Sequence, residues 1–340
     1  MRINLNLLLV FLLTVFAISC SEDDDENNAV PPRDRAEQQA SDMDTLQNYL
    51  NTHYYNSGAL ASLTTYPTIN DITITKLEEG QTLPVNTTLL ANAVEEKTTV
   101  YKDTDYKYYI LKLQDGQGQS PHFTDQVRVN YEGSLMNGNI FDSSINPADV
   151  DLVFSIPGWS RVLPQFKTAN GYTTNGDGTV TFENYGIGVM FLPSGLSYFS
   201  SATTGITSYS CLVFKFELHQ FQVMDHDNDF IPSFMEDDNS NMDVTDDNTD
   251  DDRFSNFGDN DDDGDGYKTY REITYAIYTN TTREALQAEL ETLTLASDQF
   301  ITAIQLEDDG SFSAKVVTLE DTNGNGIPNY LDPDDAQTLN

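Results

Sequence analysis

The chain has 340 residues and a formal net charge of −38, from 55 acidic and 17 basic side chains. This charge excludes nucleic acid as a natural partner, because phosphate binding needs clustered Lys and Arg. It also disfavours anionic lipid surfaces and favours multivalent cations. The length suggests about two domains, and an apolar fraction of 38% is enough for a core of ordinary size.

The first residues have the pattern of a secretory signal. Arg2 precedes the apolar run from Leu7 to Ile18, and Ser19 is a small residue at the expected cleavage position. The run is shorter than a typical transmembrane helix. We therefore expect a signal peptide over residues 1–19.

Cys20 follows this signal directly, in a context that resembles a relaxed bacterial lipobox. The resemblance implies that Cys20 is acylated and anchors the protein to a membrane; the alternative is an ordinary cleaved signal peptide. The acidic stretch after it resembles lipoprotein export signals of Bacteroidetes-like Gram-negatives. That implies an outer-membrane lipoprotein, periplasmic or exposed at the surface, with residues 20–40 as an acidic tether.

Residues 41–98 are expected to form an N-terminal helix and an extension. Met43, Leu46, Leu50 and Tyr54 recur at a spacing close to 3.6, which predicts a short amphipathic helix within residues 42–55. From residue 60 to about 93 no clean period is present, which favours loop with some strand.

Residues 99–222 have the pattern of a β-rich domain. Alternating or apolar runs predict strands over residues 108–113, 127–133, 189–192 and 212–218. The one helix candidate among them covers residues 159–166. Several antiparallel strands with little helix between them predict an α+β fold. Cys211 lies at the start of a predicted strand and is expected to be a buried structural thiol.

Three blocks of this domain resemble the FKBP-type peptidyl-prolyl isomerases. They are Val127–Leu135 with Asn137–Ser144, then Ile156–Trp159 with Leu163, then Phe191–Tyr198 with Ile206 and Leu212–Leu218. The resemblance implies an antiparallel sheet wrapped on a short helix. It also implies rotation about X–Pro bonds of proline-containing polypeptide clients, without a cofactor for catalysis.

The same resemblance implies roles for individual side chains. Aromatic walls are assigned to Tyr131, Phe141, Trp159 and Phe214, with Trp159 as the pocket floor. A dry apolar pocket disfavours the planar, dipolar amide and so favours the twisted one.

Four further residues complete the implied site. Asp142 and the Tyr198 hydroxyl are the expected polar groups near the substrate carbonyl, Ile156 the expected backbone partner of the peptide, and Ile206 the rim. The alternative is that the aromatic residues are simply core.

The sequence departs from the family pattern at several points. Leu152 or Phe154 must serve for a family Phe, Phe199 replaces the usual Gly after the Tyr, and the rim reads Ile206-Thr207-Ser208 instead of Ile-Pro-Pro. An insertion of about fifteen residues lies near residues 171–183. These departures leave open a catalytically weak, FKBP-like protein that only grips peptides at the cell surface.

Residues 223–340 are rich in Asp, Asn and Gly. Between Asp225 and Asp265 there are sixteen Asp and one Arg. Such a run repels itself unless something neutralises it. It is either an unstructured acidic spacer or a cation-binding region.

The spacing favours calcium. Asp261, Asp263 and Asp265 occupy positions 1, 3 and 5 of a calcium loop, Gly266 takes the sharp turn and Glu272 closes the ring. The expected ligands in two other copies of this register are Asp225, Asp227, Asp229 and Glu236, with Phe230 in place of the turn glycine, and Asp321, Asn323, Asn325 and Asp332. Residues 248–259 form a weaker copy.

These repeats, with their Ile-Pro-Ser or Ile-Pro-Asn sequences, resemble thrombospondin type 3 repeats. The resemblance implies a stalk stapled by structural Ca²⁺ instead of a hydrophobic core. A helical period also returns over residues 283–304. We expect a folding-assisting isomerase outside the cytoplasm, joined to a calcium-binding C-terminal region.

Overall fold

A computed structural model describes residues 31–144 and 146–339. The predicted signal peptide and Cys20 lie outside the described residues. Residues from Asp34 onward form one unit. No helix among the described residues is long and apolar enough to cross a membrane.

A seven-stranded antiparallel sheet organises the predicted isomerase-like domain. The strands are β4 (Glu95–Tyr101), β5 (Thr104–Gln114), β6 (Gln126–Leu135), β7 (Ile140–Ser143), β8 (Ala148–Asp151), β11 (Gly186–Leu192) and β12 (Leu212–Gln222). Their order in the sheet is β4-β5-β11-β12-β6-β7, with β8 paired to β6. The predicted α+β class is confirmed, and the strand β4 crosses the domain boundary expected at residue 98.

The inner face of this sheet packs on the short helix α3 (Pro157–Val162), which continues as a 3-10 turn to Gln165. Leu212, Phe214, Phe216 and Leu218 of β12 share this core, as their alternation predicted. The predicted helix over residues 159–166 is therefore shorter and starts earlier, because Pro157 favours the first turn.

The outer face of the same sheet is also covered. The helix α1 (Arg35–Thr52) and the extension after it bury Val189, Phe191 and Val213 from the strands below. Burial on both faces explains why β11 is an uninterrupted run of buried residues. Cys211 is buried in this layer, as expected.

The helix α1 begins seven residues before the predicted start. Asp34 caps it by accepting a hydrogen bond from the Glu37 amide at 3.0 Å. The extra turns bury polar Gln38 and Gln39, so hydrophobic spacing alone missed them. The extension that follows consists of β1 (His53–Tyr55), α2 (Ser57–Ala61), β2 (Ile74–Lys76) and β3 (Thr88–Leu89).

Asp42 ties this helix to the turn that precedes Tyr198. One carboxylate oxygen accepts hydrogen bonds from the Ser194 amide at 2.7 Å and from its hydroxyl at 2.6 Å; the other accepts one from the Gln38 amide nitrogen at 2.7 Å. An Asn side chain offers one acceptor oxygen in place of two. The Asp42→Asn substitution is therefore expected to lower the free energy of unfolding by about 1–3 kcal/mol, measured by urea denaturation.

The exposed Asp44→Asn variant on the same helix is the matched control and is expected to unfold like the wild type. Burial raises the pKa of Asp42. Because the pKa of Asp42 is higher in the folded than in the unfolded protein, Asp42 stabilises the folded state fully at a pH below its unfolded-state pKa. This stabilisation is lost as the pH rises through its folded-state pKa. The stability lost in Asp42→Asn is accordingly expected to be larger at pH ~4 than at pH ~7. Equal stabilities of both variants and the wild type would show that the Asp42 bonds contribute nothing.

The insertion forms a hairpin of β9 (Gly171–Thr174) and β10 (Val180–Glu183). Its Phe182 stacks on His219, with ring centres 4.6 Å apart. His219 lies five residues along β12 from Phe214, so the insertion contacts the sheet away from the predicted pocket.

The region from residue 223 contains a second, smaller sheet. Strands β13 (Thr274–Asn280), β14 (Gln299–Ile301), β15 (Gln305–Leu306) and β16 (Phe312–Thr318) pair antiparallel around β16. The helix α4 (Thr269–Glu272) precedes it, and α5 (Arg283–Leu290) packs on one face. The helix predicted from the period over residues 283–304 ends at Leu290. Beyond it the prediction was wrong, because Phe300 belongs to β14 and packs in the core on the opposite face of the small sheet.

Side-chain contacts join the acidic region to the isomerase-like domain. His226 Nε2 lies 3.1 Å from an Asp151 carboxylate oxygen at the end of β8. The rings of His122 and Phe234 stack with centres 3.6 Å apart. Lys102 Nζ forms an ion pair with Asp243 at 3.1 Å.

Candidate functional site

Four aromatic side chains from distant parts of the chain meet at one end of the large sheet. We call Tyr131, Phe141, Trp159 and Phe214 the aromatic cup. The indole of Trp159 meets the Tyr131 and Phe214 rings edge to face, with centres 5.3 and 5.4 Å apart. Phe141 meets Phe214 the same way at 5.6 Å. Such edge-to-face contacts are the preferred aromatic geometry.

Strand order explains why the cup forms. The strand β6 lies between β7 and β12, so Tyr131, Phe141 and Phe214 come from three neighbouring strands, and α3 places Trp159 beneath them. Gly133 makes room in the middle. A Cβ atom there would lie 2.7 Å from both the Phe141 and Phe214 rings. A side chain larger than hydrogen at this position would push the cup apart.

The cup has a buried floor and a polar edge. Trp159 is 4% exposed, and its amide donates a hydrogen bond to the Ile156 carbonyl at 3.0 Å. The Tyr131 hydroxyl donates one to an Asp142 carboxylate oxygen at 2.8 Å. Asp142 itself is exposed. The carboxylate is therefore accessible to a bound molecule beside the aromatic rings.

Asp142 also acts electrostatically on its two tyrosine neighbours. Burial, followed by the hydrogen bond and charge of Asp142, raises the pKa of Tyr131 to about 12. Burial and the Asp142 charge raise the pKa of Tyr198 as well. Both phenols therefore stay protonated at neutral pH and remain hydrogen-bond donors.

The two residues expected at the rim, Ile156 and Ile206, both pack in the core cluster that contains the cup. Ile156 precedes the first turn of α3, and Ile206 is buried in the cup's core cluster. The Ile206 and Thr203 backbones exchange hydrogen bonds at 3.0 Å, which gives the rim a tight turn without the family's prolines. Of the two candidates for the missing Phe, Leu152 is buried in the core, whereas Phe154 is 74% exposed.

Phe199 adopts the left-handed backbone conformation that the family's glycine allows, with φ at +47°. Its ring packs edge to face against Tyr209 at 5.3 Å, and the Arg35 guanidinium lies over it at 4.2 Å. These contacts offset the backbone cost of a non-glycine residue, which is about 1–2 kcal/mol. The departure from the family pattern is thus compensated by α1.

The acidic region brings carboxylates together in several groups. In the third acidic segment, residues 261–272, oxygens of Asp261, Asp263 and Asp265 lie within 4.8 Å of one another. Both oxygens of buried Glu272 lack a hydrogen-bond donor within the part of the chain that the structure describes. Burial and the charges of these three Asp raise the pKa of Glu272 to about 9. The weaker copy also groups Asp250, Asp252 and Asp259.

The first acidic segment, residues 225–236, differs in detail from its predicted register. Oxygens of Asp227, Asp229 and Glu236 meet with one of Asp262, which the sequence did not single out. Asp225 instead closes the loop, accepting backbone hydrogen bonds from Asn228 and two following residues at 2.8–3.2 Å. Phe230 occupies the turn position of the register with φ at +84°.

In the fourth acidic segment, residues 321–332, the side chains bond mainly to one another. Asp321 accepts hydrogen bonds from the amides of residues 324, 325 and 326. The side-chain nitrogens of Asn323 and Asn325 donate to Asp332 at 2.9 and 2.7 Å. All four predicted residues of this copy are therefore neighbours, with fewer free oxygens than in the other segments.

Oxygen-only groups of this kind suit a hard cation. Ca²⁺ takes 6–8 oxygen ligands from carboxylates, carbonyls and water. A buried carboxylate without a hydrogen bond or counter-charge is strongly destabilising. The first and third segments hold several such oxygens among the described residues, at Asp227, Asp229, Glu236, Asp262, Asp263, Asp265 and Glu272.

Sequence comparison finds relatives of this chain among FKBP-type peptidyl-prolyl cis-trans isomerases. Peptidyl-prolyl cis-trans isomerase Mip from Coxiella burnetii is 52% identical over 58 residues, 16% of this chain and 25% of that protein. FkpA from Aeromonas hydrophila is 32% identical over 135 residues, 38% of this chain and 42% of that protein. The predicted homology to FKBP-type isomerases is confirmed, and the chain spans less than half the length of these curated relatives.

Comparisons with solved structures and with family models give two further matches. The crystal structure of FkpA from Escherichia coli is 18% identical and aligns with a TM-score of 0.32 over 65% of this chain and 83% of that one. A family model described as BamM C-terminal matches residues 226–298. This match begins at the first acidic segment and ends just before β14.

Proposed function

We propose that this protein is a peptidyl-prolyl cis-trans isomerase that assists protein folding outside the cytoplasm. The observation that carries the proposal is the aromatic cup with the Tyr131–Asp142 hydrogen bond at its edge. The homology to FKBP-type isomerases supports the same activity. The clients are polypeptide segments that contain proline.

Catalysis of this reaction depends mainly on the environment that the protein provides around the X–Pro bond. Rotation about the X–Pro bond is opposed by amide resonance, with a barrier of about 18–20 kcal/mol. The planar amide is the more dipolar state, so moving it from water onto the Trp159 floor favours the twisted state. Asp142 and the Tyr198 hydroxyl are the polar groups at the edge of the aromatic cup. There they provide hydrogen-bond partners for the carbonyl of the twisted X–Pro bond and for the neighbouring peptide groups of the substrate.

A proline-peptide assay tests this activity. Exchange between the cis and trans forms of a short Leu-Pro peptide, followed by NMR line shapes, is expected to quicken on addition of the full chain. Spontaneous isomerisation takes tens of seconds or more, so catalysis is easily resolved. Peptide binding with an exchange rate equal to that in buffer would favour the alternative, a catalytically weak peptide-binding lipoprotein.

We also propose that Cys20 carries a lipid anchor and that the acidic region binds structural Ca²⁺ as a thrombospondin type 3-like module. The buried carboxylates without donors in the first and third acidic segments support calcium. Extracellular calcium is abundant enough to fill weak sites with Kd values on the order of 10⁻⁴–10⁻³ M. The proposed location, an outer-membrane lipoprotein, fits such sites.

A further inference from the structure

One group of carboxylates joins two acidic segments that the sequence presents as separate copies. Oxygens of Asp227, Asp229, Glu236 and Asp262 all lie within 4.8 Å of one another. Asp229, Glu236 and Asp262 are at most 1% exposed. Asp262 belongs to the third segment but lies apart from the Asp261, Asp263 and Asp265 group of that segment. It sits inside the turn that the Gly264 amide closes by donating a hydrogen bond to the Asp261 carbonyl at 3.0 Å.

Glu236 shows most plainly that the group needs a positive charge. Neither of its oxygens has a hydrogen-bond donor among the described residues. The charges that act on it come from Asp229, Asp227 and Asp262, followed by Asp225, all of the same sign. Burying one carboxylate without compensation costs several kcal/mol, and four together can stay ionised in a folded segment only if a cation lies between them.

The donor set specifies the class of cation. All four ligands are carboxylates, the hard oxygen donors that Ca²⁺ prefers, and each can bind through one or two oxygens. The site contains no Cys or His, which soft transition metals favour. Mg²⁺ keeps several waters in a strict octahedron, for which a site this deeply buried is poorly suited.

We propose that Asp262 completes a calcium site with Asp227, Asp229 and Glu236, so that one ion fastens the first acidic segment to the third. This inference rests on the calcium-binding part of the proposed function. It differs from a string of self-contained loops, because the ligands of this site come from segments more than twenty residues apart.

The position of the site indicates a structural role for the ion. The first segment leaves β12 almost directly, and the Ser233 amide bonds back to the Met224 carbonyl at 2.9 Å. His226, next to the ligand Asp227, contacts Ser233 at 2.8 Å and Asp151 of the isomerase-like domain at 3.1 Å. The third segment leads into β13. The ion therefore links the chain that is fixed to the large sheet with the start of the small sheet.

Calcium titration of the full chain tests the site, with Asp262→Asn as the variant and exposed Asp308→Asn as the control of equal charge. By calorimetry, Asp262→Asn is expected to lose one bound Ca²⁺, or to bind one at least tenfold more weakly, whereas Asp308→Asn keeps the wild-type isotherm. Identical isotherms for the two variants would overturn the inference while leaving calcium binding intact. No binding by the wild type would instead overturn the calcium part of the proposed function.

A second measurement does not depend on how the Asn variant folds. Tyr330 is buried, and the charges of Asp238, Asp262 and Glu236 act on it. Terbium, which replaces calcium at oxygen sites, is expected to emit when tyrosine is excited. Tyr330→Phe should lower this emission more than the exposed Tyr172→Phe does, with calcium stoichiometry unchanged. Equal emission from the two Phe variants would show that no ion lies beside Tyr330.

Discussion

Removal of calcium with EGTA is expected to unfold residues 223–340 at neutral pH while residues 99–222 stay folded. The small sheet has limited apolar cores, whereas the acidic segments around it bury carboxylates that lack donors. Each ion present at a hundred times its Kd stabilises the folded state by about 2.7 kcal/mol. Loss of several ions would exceed the stability of a small domain, about 5–15 kcal/mol.

Amide hydrogen exchange resolves the two regions in one experiment. Amides of β13 and β16 are expected to lose protection in EGTA, and those of β11 and β12 to keep it, because the latter strands are buried on both faces. Adding back Ca²⁺ should restore protection, and Mg²⁺ should restore less. Unchanged protection of β16 in EGTA would mean that the apolar clusters alone hold the region.

The Asp142→Ala substitution is expected to lower kcat/KM for a proline peptide by about 10–100-fold. Hydrogen bonds to charged groups contribute about 1.5–3 kcal/mol, and each 1.36 kcal/mol is a factor of ten in rate. Asp142 is exposed and accepts its bond from Tyr131 at the cup edge. The effect should therefore fall on activity and leave the melting temperature within a few degrees.

The neighbouring Asp149→Ala variant is the matched control. Asp149 is also an exposed carboxylate on an adjoining strand, where it pairs with Arg128 at 2.8 Å, away from the cup. Its kcat/KM should stay within about twofold of the wild type, since surface ion pairs contribute about 0–1 kcal/mol. If Asp142→Ala matched Asp149→Ala in the assay, the polar edge of the cup would have no part in catalysis.

Local patterns in the sequence were sufficient for much of the first domain. Alternation along residues 212–218 predicted both a strand and the face that meets the core, since side chains of a strand point alternately to its two faces. The blocks around Phe141, Trp159 and Tyr198 indicated a family and with it a set of site residues. Each of these signals is short-range, because it lies within a single strand or turn.

The ends of the helices could not be found in this way. The helix α1 starts at Arg35 because Asp34 caps it and because Asp42 finds Ser194 across the fold. A buried polar residue does not contribute to the apolar periodicity from which a helix is predicted. The segment after Leu290 kept a helical period, yet Phe300 joined β16 instead, because pairing with a strand satisfied its backbone.

The sequence by itself determined the composition of each site: rings and a carboxylate in one, oxygen ligands in the other. Only the tertiary structure decided which side chains meet. It chose Leu152 over the exposed Phe154, and it assigned Asp262 to the carboxylates of a different segment from those of Asp261 and Asp263. The physical reason is that a local turn, such as the one that the Gly264 amide and the Asp261 carbonyl close, sets only the direction of a side chain. Its partners depend on which distant segment packs there.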